Sequence, residues 1–207
     1  MQTIAGLCSL LLENSANSTR YMVAVAGPPA SGKSTTAEHL AEALRAKGES
    51  ATVVPMDGFH YDNTILDRLG LRSRKGSPPT FDCAGFAALL KRLKSLENNV
   101  AIPVFDRSME LARAGAELIP AATKFLIIEG NYLLLNETPW RDLRPYFDLT
   151  VSIDVDRQTL ENRLYTRWKQ YGKSAQEARN WIEGNDLPNI RHVLEHNGEA
   201  DIHFANS

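Results

Sequence analysis

Short, unbroken apolar runs alternate along the chain with longer stretches of helical period, and that alternation predicts an α/β fold. The runs are 21–26 (YMVAVA), 51–55 (ATVVP), 124–128 (KFLII) and 149–153 (LTVSI), with 101–105 and 200–204 as further strands. Runs so short and so uniformly apolar suit a parallel sheet covered on both faces. Between the first two, Ala37, Leu40, Ala41 and Leu44 repeat at helical spacing within 34–47, and Gly48 stands at the C-cap. Residues 4–14 read as a short amphipathic helix, 61–81 as a helix followed by an exposed loop, and 156–184 as mostly helical with many basic side chains. Asp82 is placed to N-cap a helix carrying Phe86, Leu89, Leu90 and Leu93. Asn185-Asp186 ahead of Leu187-Pro188 reads as a helix stop. Strand, helix and strand in sequence make a βαβ unit. The expected architecture is one domain over 1–207, a doubly wound, mostly parallel sheet in three α/β/α layers, with a lid over about 156–186. Ligands of such sheets sit at the carboxyl ends of the strands.

The turn after the first run is Gly27-Pro28-Pro29-Ala30-Ser31-Gly32-Lys33-Ser34, the full G-x-x-x-x-G-K-[ST] pattern. Its glycines let backbone approach phosphate closely, and the following helix N-terminus offers partial positive charge. Lys33 is expected to reach the β- and γ-phosphates of ATP, Ser34 to bind Mg²⁺, and Thr35 to bond a phosphate from the first helical turn. Gly27, Pro28, Ala30, Ser31 and Gly32 complete the cradle. Strand, loop and helix in this order predict the P-loop NTP hydrolase fold. An Asn-Lys-x-Asp guanine-reading motif is absent, as is the Ser-Gly-Gly signature of transporter ATPases, so the pattern points to a small-molecule kinase.

Composition narrows the partners. The 207 residues carry 23 basic and 25 acidic side chains, a formal net charge of -2, which argues against a nucleic-acid binder. Cys8 and Cys83 are far apart and lack metal-ligand spacing, so two free thiols in a reducing compartment are expected. Leu10–Leu12 follow no basic segment, and no apolar stretch approaches the roughly 20 residues a bilayer crossing needs. A cytoplasmic protein without membrane contact is expected, and a homodimer is compatible with the sequence.

Acidic residues at strand ends supply the remaining chemistry. Asp57 follows the second strand in Met56-Asp57-Gly58-Phe59-His60, where a carboxylate can orient an acceptor hydroxyl and take its proton. Glu129 ends the KFLII strand, a place for a second magnesium-side ligand. Arg163 and Arg167 are four residues apart on one helical face, beside Lys169 and Lys173; a basic lid there would offset charge on the transferring phosphoryl group and exclude water. His60 stands near enough to Asp57 to touch substrate or to pack. Trp168 and Trp181 read as packing in the lid, and His192 and His196 as a surface pair without an evident third ligand.

Taken in order, GPPASGKST, MDGFH, RKGSPPTFD, PVFDR, IIEGNYLLL and GNDLPN resemble the uridine kinase / pantothenate kinase / phosphoribulokinase group of P-loop kinases, over nearly the whole chain from Val23 to Phe204. Within it the chain looks most like short bacterial nucleoside/nucleotide kinase family proteins named fructose-transport-system kinases. The resemblance implies that Asp57 is the group's catalytic Asp, that Arg107 and Lys75 face the acceptor, that Glu129 belongs to the second acidic motif, and that Arg163 and Arg167 are lid arginines. It favours a sugar such as fructose as acceptor, with a nucleoside or a pantothenate-like alcohol as alternatives. Gly58-Phe59-His60 stands where uridine kinases tend to have Asp-Phe-Tyr. An ATP-binding regulator without turnover is the alternative of another class.

Overall fold

A computed structural model describes residues 3–206; Met1 and Gln2, the start of the stretch read for a leader, and Ser207, the end of the expected domain, lie outside the described residues. In chain order the elements are α1 (Ile4–Asn14), β1 (Tyr21–Ala26), α2 (Lys33–Ala46), β2 (Ala51–Pro55), α3 (Asn63–Leu69), α4 (Cys83–Lys94), β3 (Val100–Asp106) and β4 (Leu111–Ile119). They continue as β5 (Phe125–Gly130), β6 (Leu149–Asp154), α5 (Arg157–Gln170), α6 (Ala175–Trp181), α7 (Leu187–His196) and β7 (Ile202–Ala205).

The main sheet has the order β2-β5-β1-β6-β7, and each neighbouring pair is parallel. Alternate residues of one strand enter opposite cores. Met22, Ala24, Leu126 and Ile128 pack with Phe86, Leu90 and Tyr132; Val23, Val25, Phe125 and Ile127 pack with Leu7, Leu11, Leu40 and Leu44. Burial on both faces is why these strands read as unbroken apolar runs. Arg20 fixes the entry to β1: buried, it donates to the carbonyls of Leu93, Thr123, Pro120 and Ala121 at 2.5–3.0 Å.

Three expectations change. The strand expected at 101–105 is β3, which lies outside the main sheet and pairs antiparallel with β4. The two are joined by a tight turn, so no crossover can return β3 to the parallel sheet. The loop within 61–81 is not exposed throughout. Ser77 and Thr80 are buried, Thr80 Oγ1 donates to the Ser77 carbonyl at 2.7 Å, and the Tyr132 hydroxyl donates to the Gly76 carbonyl. Asn185-Asp186 does not stop the helix: α6 runs through one π-type turn, Ile182–Asp186, straight into α7. Pro188 has no N–H for the carbonyl four residues back. That carbonyl, of Gly184, instead accepts from Arg74 Nη1 at 2.7 Å, so the helix continues without an orphaned acceptor.

The Asp82 cap forms as expected, its carboxylate accepting from the Gly85 N–H at 2.9 Å. Cys8 and Cys83 are free and buried. Among the described residues no helix is long and apolar enough to cross a membrane.

Candidate active site

The loop Gly27–Ser34 joins β1 to α2 at the carboxyl edge of the sheet. Gly32 has φ 85° and Ala30 φ 65°, both left-handed; the alanine carries a strain of about 1–2 kcal/mol that glycine would not. A Cβ at Gly27 would come within 2.6 Å of Ser31 Oγ and 3.1 Å of Ile153 Cβ, so the loop folds back closely on this glycine. Its carbonyls are engaged from the other side. Asn206 Nδ2 donates to Ser31 O at 2.7 Å, and Arg163 Nη1 lies 3.3 Å from the same oxygen and 3.5 Å from Ala30 O.

The strand order brings the acidic residues to this loop. β5 lies between β2 and β1, with Glu129 in register with Pro55 on one side and Val25 on the other. Asp57 follows in a 3₁₀ turn, Met56–Phe59, so Lys33 at the start of α2 has both carboxylates nearby. Burial pulls the Lys33 pKa below the ordinary lysine value, while Glu129 and Asp57 oppose that pull. Burial pushes Glu129 up, and the Lys33 charge and the Ser34 hydroxyl hold it down in part. Burial alone would push Asp57 up too, but His60, Arg107, Lys33 and Arg167 together bring it below the usual carboxylate range.

Arg107 comes from the turn after β3 and donates to Asp57 Oδ2 at 2.7 Å. The hairpin can approach because residue 58 is glycine: a Cβ there would strike the Pro103 carbonyl. His60 lies between Phe81 and Phe105, with ring centroids 3.9 and 4.8 Å away. Its Nδ1 is 2.8 Å from the Asp57 carbonyl, which makes Nδ1 the protonated nitrogen and leaves Nε2 as an acceptor. Burial lowers its pKa against the pull of the Asp57 carboxylate, and the ring helps hold Asp57 down only while it carries a proton. Lys75 Nζ donates to Asn63 Oδ1 and Glu110 O, each at 2.9 Å, and forms an ion pair with the Glu110 carboxylate at 3.2 Å.

These groups line a cleft of about 910 Å³ that holds Lys33, Asp57, His60, Lys75, Arg107 and Arg167 on its walls. Glu129 lies buried, Ser34 and Thr35 are exposed at the start of α2, and of the loop only Pro29 and Lys33 reach the cleft wall. The two arginines on one face of α5 part company: Arg167 faces the cleft, whereas Arg163 holds the loop carbonyls and Asn206. Trp168 and Trp181 pack together at 5.7 Å, and Lys173 lies 5.3 Å from each ring. Sequence reasoning missed Asn63, Phe105, Glu110 and Asn131, all on the cleft wall. Only Asn131 carried a signal, its place directly after Glu129-Gly130, and its buried Oδ1 has no partner among the described residues.

Trp168 Nε1 donates to Asp186 Oδ2 at 2.6 Å, tying α5 to the π-type turn. Burial pushes the Asp186 carboxyl up to about 6, against the indole N–H and Arg167. Between about pH 4 and 6 the folded chain therefore holds a proton that the unfolded chain has released, so stability is fullest below this window and falls as pH rises through it. A rise of about two on the pH scale corresponds to about 3 kcal/mol. Asp186→Asn is expected to flatten the fall of melting temperature across that window; thermal melts showing the wild-type slope would refute the assignment.

A solved structure of a provisionally assigned fructose transport system kinase from Silicibacter sp. TM1040 superimposes with TM-score 0.94 at 42% identity, covering 99% of this chain and 100% of that one. A provisionally assigned uridine kinase, C227.14, of Schizosaccharomyces pombe (strain 972) is 32% identical over 192 residues, 88% of this chain and 82% of that protein. The pantothenate kinase of Enterococcus faecalis V583 is 28% identical over 206 residues, 88% of this chain and 67% of that protein. The model of the Phosphoribulokinase / Uridine kinase family matches residues 22–201, and the chain belongs to that family of ATP-dependent small-molecule kinases.

Proposed function

We propose that the chain transfers the γ-phosphate of ATP to a hydroxyl of a neutral sugar or similar polyol, with fructose favoured. The observation that carries this reading is the pairing of charge on the acceptor wall. Arg107 is matched by Asp57, Lys75 by Glu110 and Arg72 by Asp67. Such a wall offers many hydrogen-bond donors and acceptors and one aromatic face, Phe105, but little net charge. An acceptor bearing an acid group would have to take a cation from its partner. Arg167 and Lys173 are in no ion pair among the described residues, and they suit the triphosphate. The name of the Silicibacter relative supports a sugar.

In this reading Asp57 is ionised when the acceptor arrives. It orients the hydroxyl and receives its proton as the new P–O bond forms and the bond to the leaving ADP oxygen breaks. Lys33 and Arg167 offset the charge on the transferring group, and His60 Nε2 accepts from a neighbouring hydroxyl. Trp168 and Trp181 form an apolar wall on the lid side that limits water, the competing acceptor. Magnesium fits Ser34 and Glu129: both offer hard oxygen donors, and Glu129 Oε2 is buried with no hydrogen-bond partner among the described residues. When bound there, the ion would neutralise charge on the β- and γ-phosphates. Two buried free thiols suit a reducing, cytoplasmic compartment, and the whole chain acts as one domain with its lid over about 156–186.

An ADP-release screen over sugars, polyols, nucleosides and vitamin alcohols tests the acceptor class. Acceptor-dependent ADP is expected with neutral sugars or polyols. Turnover confined to acid-bearing alcohols or to nucleosides would overturn the neutral-polyol reading, and ATP binding with no turnover on any acceptor would return a regulatory role.

A further inference from the structure

We propose a second metal site, independent of the cleft, in which Glu137, His192 and His196 hold a zinc-like transition ion that clips the end of α7 to the segment following β5. The two histidines are one helical turn apart on α7, and their rings stack with centroids 4.5 Å apart. The third donor arrives from a distant part of the sequence, which is why the histidine spacing suggested a metal pair but showed no third ligand. Glu137 Oε2 lies 3.1 Å from His192 Nε2 and Oε1 lies 3.7 Å from His196 Nε2. One ligand atom from each of the three residues falls within 4.8 Å of the others.

The backbone fixes which ring nitrogen of His196 is free to bind. His196 Nδ1 lies 2.9 Å from the His192 carbonyl. A carbonyl only accepts, so Nδ1 must carry the hydrogen. Nε2 is then the ring nitrogen that faces the Glu137 carboxylate, at 3.7 Å, where a metal ion can join the two in place of a proton. Backbone carbonyls that fix the tautomer in this way are the usual outer partners of metal-bound histidine. The donor set matches zinc sites with two histidines and one glutamate, which leave a fourth position for water. All three residues are partly exposed, so an ion and its water can enter.

The backbone around the cluster is already tied. The Asn136 N–H donates to the His196 carbonyl at 2.9 Å, the Gly198 N–H to the Leu134 carbonyl at 2.7 Å, and the Glu137 carbonyl accepts from the Arg141 N–H at 2.8 Å. Little ordering remains for the ion to impose, so the ligands need only small side-chain rotations to close on it.

Magnesium prefers oxygen and does not compete for a site with two imidazoles, so kinase buffer leaves the site open to zinc. The test is calorimetric titration of Zn²⁺ into the chelator-stripped full chain without nucleotide, with Co²⁺ absorption as a geometric readout. One zinc per chain is expected, with tetrahedral-type Co²⁺ bands and a melting temperature raised by zinc. His192→Ala and Glu137→Gln should each weaken binding by more than the about 10- to 100-fold typical of outer-shell losses, with circular dichroism unchanged. Lys33→Ala should bind zinc as the wild type does. Absence of stoichiometric binding, or binding that survives the His192→Ala/His196→Ala double substitution, would overturn the site.

Discussion

Replacing Asp57 with asparagine is expected to lower kcat by about 10²- to 10⁴-fold, the range a positioned general base contributes, while ATP affinity changes little. The amide keeps the size of the carboxylate and can still accept one hydrogen bond from the acceptor, but it cannot take the proton. Arg107 loses its charge partner at 2.7 Å, so the acceptor KM should change as well. The carboxylate lies below its usual pKa range because cationic neighbours outweigh its burial. The wild-type acid limb set by Asp57 therefore falls below the ordinary carboxylate range, and that limb disappears in the variant. Acceptor-dependent ADP release measures kcat, and an ATP titration read by Trp168 and Trp181 fluorescence measures binding. Turnover within tenfold of wild type would remove Asp57 as the base. Thermal melts separate this result from simple destabilisation.

The parts of the fold that were legible are those where one physical demand dominates. β1 and the first four residues of β5 are buried on both faces and are apolar without a break, and β6 departs from this only at Thr150, Ser152 and its exposed last residue, Asp154. The phosphate loop was legible because left-handed backbone at residue 32 calls for glycine. Asp57 and Glu129 stand out in the sequence as acidic residues at the ends of apolar strands, and the strand order then brings them near each other. What stayed hidden depends on distant partners. β4 is mostly exposed along Leu111–Ile119 and has no apolar period, so nothing marked it as a strand. Without it β3 reads as one more member of the parallel sheet. Pro188 looked like a stop because the remedy, Arg74 on the Gly184 carbonyl, comes from a turn 110 residues earlier. Arg163 and Arg167 share a helical face, yet only the structure separates the one that holds the loop from the one that faces the cleft.

Lys33→Ala is the second large effect, and it should strike both binding and chemistry. Removing one preorganised charge that meets the developing transition state typically costs about 10²–10³ in kcat, and the terminal phosphates also lose a direct partner. Lys33 is at the same time the counter-charge for two carboxylates: its ammonium lowers both Glu129 and Asp57. Without it each carboxylate is left closer to an unscreened like charge, and both rise in pKa. The residual activity of the variant should therefore show its acid limb at higher pH than the wild type, a shift that a mere loss of nucleotide affinity would not produce. Lys33→Arg should not restore turnover, because a planar fork cannot occupy the place of a compact ammonium between a tight loop and two carboxylates. A pH–rate profile of acceptor-dependent ADP release for the wild type and both variants decides the matter. An alanine variant with wild-type kcat would remove Lys33 from the transfer step, and one whose acid limb stays in place would separate the loop lysine from the two carboxylates.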